Sequence, residues 1–427
     1  MKKCFTLLVL LFFLFIADIK AQSSLQVNAQ IRPRTEYRHG FKRLIPEESN
    51  AAFFTEQRSR LSLNYATSDF SVFLSLQDVR IWGSVDQIYK RDPALTSVNE
   101  AWGQYNFNKK ISVRAGRQQL DYDNARFLGD LDWAQQARSH DLVLLMVQDS
   151  TWALHGGAAF NQDALIPEFG KLESTYYSTV NNYKTMQYIW FHKDFLRANF
   201  SLLGLNNGIQ ISSDSSVNFT QTLGFFGNLL PGKVKLQGEF YYQTGKDRLY
   251  RSVQAYLASL SGTFKAGNIT TITLGGDYVS GTGPGDQINR SFDPLYGTNH
   301  AFYGLMDYFY VGSGHGQQGR TTGLIDIFLK MQWRTGVKSA LQSHLHYFHS
   351  PVEILVPENL SNSYSSRLGT EIDLVYNLNV SKEVNFKLGY SQLFGTPALE
   401  AIKGGDRNQI NNWAWCMITF NPTLFSN

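Results

Sequence analysis

The chain has 427 residues, 17% of them charged and 43% hydrophobic, with a mean hydropathy of -0.25, which excludes both a disordered polymer and a bundle of membrane helices. A formal net charge of +4 gives no reason to expect nucleic acid as a partner, so any selectivity must lie in where the charges sit. Aromatic residues at 14%, with 35 Gly against 11 Pro, favour strands and turns.

Residues 1–21 read as a secretory signal peptide: Lys2 and Lys3, an apolar run over 5–17, and the small Ala21 before Gln22. The run is too short to cross a bilayer. Cys4 precedes it and leaves with the leader, so Cys416 is the one cysteine of residues 22–427 and no intramolecular disulfide is expected. Cleavage leaves 36 basic and 34 acidic side chains. No later apolar run reaches the length of a transmembrane helix, which leaves a soluble secreted protein or a membrane β-barrel.

Strand periodicity starts early. Phe53, Leu61, Leu63 and Tyr65 share one parity, and Glu56, Arg58, Arg60, Ser62 and Asn64 share the other. This is the period of a strand with one apolar and one polar face. The pattern repeats over 70–77, after a turn at 67–69. Eighteen segments qualify as strands: 25–39, 52–66, 70–82, 96–107, 110–119, 140–148, 151–160, 184–193, 196–206, 216–229, 233–244, 252–264, 269–280, 321–334, 337–349, 366–378, 384–395 and 409–420.

The links between them alternate. Short ones fall at 67–69, 108–109, 149–150, 194–195, 230–232, 265–268, 335–336 and 379–383, and long ones at 40–51, 83–95, 120–139, 161–183, 207–215, 245–251, 281–320, 350–365 and 396–408. In an up-and-down sheet every second link lies at the same rim, so tight turns gather at one end and long loops at the other. The fold expected is therefore all-β: a single 18-stranded antiparallel transmembrane β-barrel over residues 22–427, with short periplasmic turns and long extracellular loops. Aromatic residues near strand ends, among them Trp82, Trp102, Trp152, Trp190, Phe191, Trp333, Trp413 and Trp415, suit interfacial girdles. Alternation alone does not divide them between girdle and lumen.

The polar parity carries the charge. Arg32, Arg34, Glu36 and Arg38 share it in the first strand, and Glu56, Arg58 and Arg60 in the second. Facing lipid, each would cost about 2–4 kcal/mol near the midplane, so they are expected to face inward. Arg80, Glu100, Arg114 or Arg117, and Arg126 continue the series. Arg34, Arg58, Arg60, Arg80, Arg114, Arg117 and Arg126 would form a wall that passes an anionic chain from fork to fork. Arg/Glu ladders also brace inert barrels; for any single residue bracing and transport stay open, and the cluster as a whole points to transport.

The long loop 281–320 is rich in aromatics, including Phe292, Tyr303, Tyr308 and Phe309, which argues for an ordered segment folded into or over the pore. His344 and His346 share a parity and are metal-ligand types, with His349 or a carboxylate as a third ligand. With no acidic partner nearby in sequence they read as polar lumen residues, and no metal or cofactor is expected. The glycines of 281–285 precede no helix pattern and read as a turn, not a phosphate cradle. No nucleophile elbow, zincin motif or paired-carboxylate setting supports an enzyme.

Residues 116–141, GRQQLDYDNARFLGDLDWAQQARSHD, resemble the conserved block of the bacterial alginate export family. FDPLYGTNHAFYGLMDYFYVG over 292–312 resembles that family's long loop, and QDVRIWG over 77–83 is a weaker likeness. The resemblance implies an eighteen-stranded, monomeric outer-membrane channel for an acidic polysaccharide, with an electropositive constriction and a loop closing part of it. By position it marks Arg117, Arg126 and Arg138 together with Asp132 and Asp141; His140 stands where an aromatic is expected. The chain ends Phe425-Ser426-Asn427 without the usual terminal aromatic, which leaves Phe420 and Phe425 as insertion-signal candidates.

The expected function is passive conduction of an acidic polysaccharide, such as an alginate-like polyuronate, or its fragments. The route is an anion-selective, Arg-rich lumen in the outer membrane of a Gram-negative bacterium. Outer-membrane lipid and a periplasmic export partner are the expected neighbours. The alternative is a low-specificity anion or oligosaccharide uptake porin; a barrel enzyme ranks third.

Overall fold

Period-two alternation of side chains becomes one continuous hydrogen-bonded ladder in the structure, a computed structural model that describes residues 23–427 apart from 88–94, 164–174, 178, 180, 181, 313, 318 and 358. The expected leader at 1–21 and parts of the links at 83–95 and 161–183 lie outside the described residues.

The first nine strands are β1 (Ser24–His39), β2 (Ala52–Ala66), β3 (Phe70–Ile81), β4 (Thr96–Asn106), β5 (Ile111–Gln118), β6 (His140–Asp149), β7 (Trp152–Phe160), β8 (Thr185–Phe195) and β9 (Ala198–Gln210). The next nine are β10 (Val217–Leu229), β11 (Val234–Lys246), β12 (Ser252–Ala266), β13 (Thr270–Val279), β14 (Leu324–Arg334), β15 (Ser339–His349), β16 (Arg367–Asn379), β17 (Val384–Gly395) and β18 (Asn411–Phe420, resuming as Thr423–Ser426). Each matches one of the eighteen expected segments to within a few residues.

Every strand pairs antiparallel with its sequence neighbours, and β18 returns to β1 with Arg38 opposite Trp413 and Arg34 opposite Met417. Closure leaves no edge of unpaired N–H and C=O groups, the condition for a sheet to survive in hydrocarbon. β18 is interrupted at Pro422, which has no N–H to give; its carbonyl still accepts from Ala29 N at 3.1 Å.

Eight tight turns lie at one rim together with both chain ends, and the long loops lie at the other. The outer face is apolar: Leu63, Leu74, Leu145, Ile189, Leu223, Leu260, Leu274 and Ile327 all project away from the lumen. Aromatic pairs such as Tyr65 with Phe70 (5.8 Å), Tyr105 with Phe107 (5.2 Å) and Phe195 with Phe200 (6.0 Å) ring the tight-turn end. Trp190, Trp413 and Trp415 are buried on the lumen side and belong to no girdle. There the barrel is too wide to be filled by its own wall, and these rings pack against loops that fold inward.

Two loops do the filling. One joins β5 to β6 (119–139) and the other joins β13 to β14 (280–323). Their side chains Leu120, Phe127, Leu128, Phe292, Tyr303, Met306, Tyr308 and Phe309 form a single apolar cluster with inward residues of the wall. A short helix α1 (Pro397–Lys403), with Thr396 as N-cap, covers the cluster from the β17–β18 loop.

Candidate functional site

The register of β1 and β2 sets Arg32 directly opposite Arg58. Like charges facing each other across a strand pair repel, and the arrangement persists because the 119–139 loop drops a carboxylate between them. Asp132 Oδ2 accepts from Arg32 Nη1 at 3.0 Å and Oδ1 from Arg58 Nη2 at 2.8 Å. Arg58 also binds Gln30 Oε1 through Nε at 2.8 Å and the Gln135 carbonyl at 3.4 Å. Arg34 donates to the Trp133 carbonyl at 2.7 Å, lies over the Trp133 ring at 4.3 Å, and pairs with Glu36 and Glu56. Arg34 and Arg58 are both buried and face inward. Burial would raise the Asp132 carboxyl, but the Arg32 and Arg58 guanidiniums more than offset this and hold it below the ordinary carboxylate range.

Three cations of this wall are held differently. Arg60 Nη2 donates to the neutral amide of Gln77 at 2.8 Å, and its buried Nε has no partner. Arg114 donates twice to Gln104 Oε1, at 3.0 and 2.8 Å, with its guanidinium 4.0 Å from the Trp102 ring centroid. Lys387 on β17, half-buried beside Arg32 and Asp132, completes the set. None of the three has an ion pair among the described residues. Glu100, the lumenal carboxylate near Arg60 and Arg114, is engaged instead by Trp102 Nε1 (3.2 Å) and the Gln119 amide (2.9 Å).

Arg80 and Arg117 depart from the expected wall. Arg80 shares the outward parity of Leu74 and Leu76 and pairs with Asp78 at 2.6 Å. Arg117 shares the outward parity of Val113 and Ala115 and pairs with Asp141 at 2.9 Å. The outer face near the loop rim stands above the hydrocarbon, so polar residues there carry no lipid penalty and mimic a lumenal stretch in sequence. Glu100 points inward because a bulge opposite Ser75 and Leu76 inserts Asn99 and resets the parity of β4.

Arg126 crosses the lumen. Its guanidinium sits 2.8 Å from Glu239 on β11 and 3.2 Å from Asp277 on β13, takes the Tyr303 hydroxyl at 2.7 Å, and lies over Phe302 at 3.6 Å. It is fully buried and acts as a clamp between the 119–139 loop and the far wall. Arg138 donates to the carbonyls of Gly129 (3.3 Å) and Gly297 (2.9 Å), which ties the two inward loops together. Backbone hydrogen bonds from Gly129 to Tyr296 and from Thr298 to Ala125, both 2.8 Å, do the same. His140 fills the place of an aromatic: its ring stacks on Tyr183 at 5.8 Å and Nδ1 meets the Tyr183 hydroxyl at 3.0 Å.

The far wall is acidic. Glu239, Asp277, Asp326, Glu371 and Asp373 all point inward from β11, β13, β14 and β16, and all are buried. Each strand carries only one or two of them, β14 with the inward Lys330 as well, so no charged run marks them in sequence; the signal for them is their shared parity with neighbouring inward residues. Glu371 Oε1 accepts from the Met306 amide at 2.8 Å. Gly304 permits this approach: at φ +83°, a Cβ there would stand 2.5 Å from a Glu371 oxygen.

A closed barrel with an apolar belt and a charge-lined interior is a channel of the outer-membrane porin class. A family model described as alginate export matches residues 23–312, and the chain belongs to that family. Membership and the lipid-facing barrel together place it in the outer membrane of a Gram-negative bacterium. Three Pseudomonas aeruginosa structures share the fold. OccK8 (OprE) gives a TM-score of 0.61 at 9% identity, covering 94% of this chain and 98% of that one. OpdO gives 0.60 at 12% over the same shares, and the outer membrane protein opdK gives 0.59 at 9%, covering 93% and 98%. No curated protein matches the chain.

Proposed function

We propose that the channel passes an acidic polysaccharide, of the alginate-like polyuronate class, or its fragments, and that it acts as a monomer fed from the periplasm. The observation that carries this reading is the pair Arg60 and Arg114, inward cations held by neutral amides, together with the inward Lys387, none of which has an ion pair among the described residues, so that a passing carboxylate meets cations free to take it. An Arg fork held by an amide keeps its geometry and can exchange that amide for a uronate carboxylate. In this reading Arg34, Arg58 and Arg126 hold the inward loops that narrow the passage, and Arg80 and Arg117 lie outside it.

A second reading, uptake of small anions, is favoured by the two loops filling the middle of the barrel. One related structure is described as opdK with vanillate, a small carboxylate. Planar-bilayer recordings separate the two. Block by polyuronate at concentrations where a neutral glucan has no effect supports the polysaccharide reading. Anion selectivity with block by a monomeric carboxylate but none by the polymer supports the second. Cation selectivity contradicts both.

A further inference from the structure

Strand pairing across β14, β15 and β16 gathers metal-ligand chemistry on the acidic wall. His344 stands directly opposite Asp373, and His346 is two residues along the same face of β15. The available ligand atoms of His344, His346 and Asp373 all lie within 4.8 Å of one another. His346 Nε2 and Asp373 Oδ2 are 4.0 Å apart. That is too long for a direct hydrogen bond, whereas two ligands about 2.1 Å from a shared ion in tetrahedral array stand about 3.4 Å apart. The gap therefore fits an intervening ion after slight closure.

The surroundings are arranged as the outer shell of such a site. His346 Nδ1 lies 2.8 Å from Asp326 Oδ2, a contact that turns Nε2 toward Asp373. Metal-bound imidazoles are oriented by this kind of carboxylate contact. Asp373 Oδ1 accepts from Ser391 Oγ at 2.5 Å, which leaves Oδ2 aimed inward. Asp373 Oδ2, His344 Nδ1 and Oε2 of the adjacent Glu371 are buried and engage no N–H or O–H group, and the Asp373 and Glu371 carboxyls lie against each other. Asp373 and His346 are each about 1% exposed, so an orphaned carboxylate oxygen here is costly unless something cationic meets it. The fixed cations facing this wall, Arg126 and Lys330, are fewer than its five carboxylates. His344 is half-buried, the least enclosed of the three.

We propose that His344, His346 and Asp373 bind one divalent first-row transition ion, with zinc as the best fit to two imidazoles and a carboxylate. The ion joins β15 to β16 beneath the 280–323 loop, and Asp326 orients its His346 ligand. The proposal holds whatever the channel carries. The rival occupant is a proton shared between Asp373 and Glu371.

The test uses the full chain folded in detergent, stripped with chelator and titrated with Zn2+ by calorimetry and with Co2+ by visible absorption. The expected result is one ion per chain, with d–d bands of a site containing nitrogen ligands. H344Q and D373N should each weaken binding at least tenfold, and D326N by about 10–100-fold as an outer-shell change. H349Q, on the opposite face of β15, should leave binding unchanged. Heat-modifiable migration shows that each variant has folded, and the near-isosteric D373N serves should H344Q fail to fold. Weak binding at several sites, unaltered in D373N, overturns the proposal, as does no binding at all.

Discussion

Arg32 and Arg58 face each other directly across β1 and β2, with the Asp132 carboxylate seated between their guanidiniums at 3.0 and 2.8 Å. The inward fold of the 119–139 loop and the cationic wall are thus one structure. Without the loop the wall repels itself; without the wall the loop loses its anchor. Asp132→Asn removes the charge and keeps the shape. It should cost about 1–3 kcal/mol of loop anchoring, read as faster proteolysis within 119–139 and a larger single-channel conductance, with the barrel still intact by heat-modifiable migration.

Asp132 also fixes an acid limit. Its folded carboxyl is held below the ordinary value, so its contribution is complete above the unfolded value of about 3.9 and is lost as pH falls through the lower, folded one. Protection of the 119–139 loop should hold from neutrality to about pH 4 and fail only in stronger acid; D132N should abolish that acid step.

Arg60→Ala and Arg114→Ala remove cations whose partners are the amides of Gln77 and Gln104. No buried carboxylate is stranded, so folding should be spared. The double variant should lower anion-over-cation permeability and weaken polyuronate block by roughly tenfold, equivalent to about 1.4 kcal/mol. Unchanged reversal potentials would remove these residues from the conduction path.

Arg80 and Arg117 provide the matching control. Both pair with carboxylates on the outer parity near the loop rim, where such pairs contribute about 0–1 kcal/mol. R80A and R117A should leave conductance and ion preference as in the parent chain, measured in the same bilayers.

Lys403 on α1 donates to the carbonyls of Tyr308 (2.6 Å) and Gly314 (2.9 Å), and burial together with the nearby Lys42 pushes its ammonium down to about 7. The unfolded chain holds this proton up to about pH 10.4. A penalty for charging is therefore complete below about pH 7 and fades as pH rises toward 10. Hydrogen-exchange protection of the 280–323 loop, corrected for intrinsic rates, should increase between pH 6 and 9, and K403M should flatten that dependence.

The barrel was legible because lipid imposes a strict rule on alternate side chains: Leu61 and Leu63 against Arg58 and Arg60 suffice to orient β2. The site was legible only in part. Asp78 with Arg80 reads like a lumenal pair because the sheet rises above the hydrocarbon, where the rule lapses. The bulge at Asn99 shifts parity without a sequence mark. The partners of Arg126 lie 113 and 151 positions away, at Glu239 and Asp277, and such pairings depend on barrel closure. His344 and His346 have no acidic neighbour in sequence; Asp373 and Asp326 become neighbours only across strands.

The two inward loops are stitched to each other through Gly129 with Tyr296, Ala125 with Thr298, and Arg138 with Gly297. Neither can swing aside while the other stays. Any widening of the passage is therefore a concerted event, and current traces should jump between two levels with no stable intermediate step.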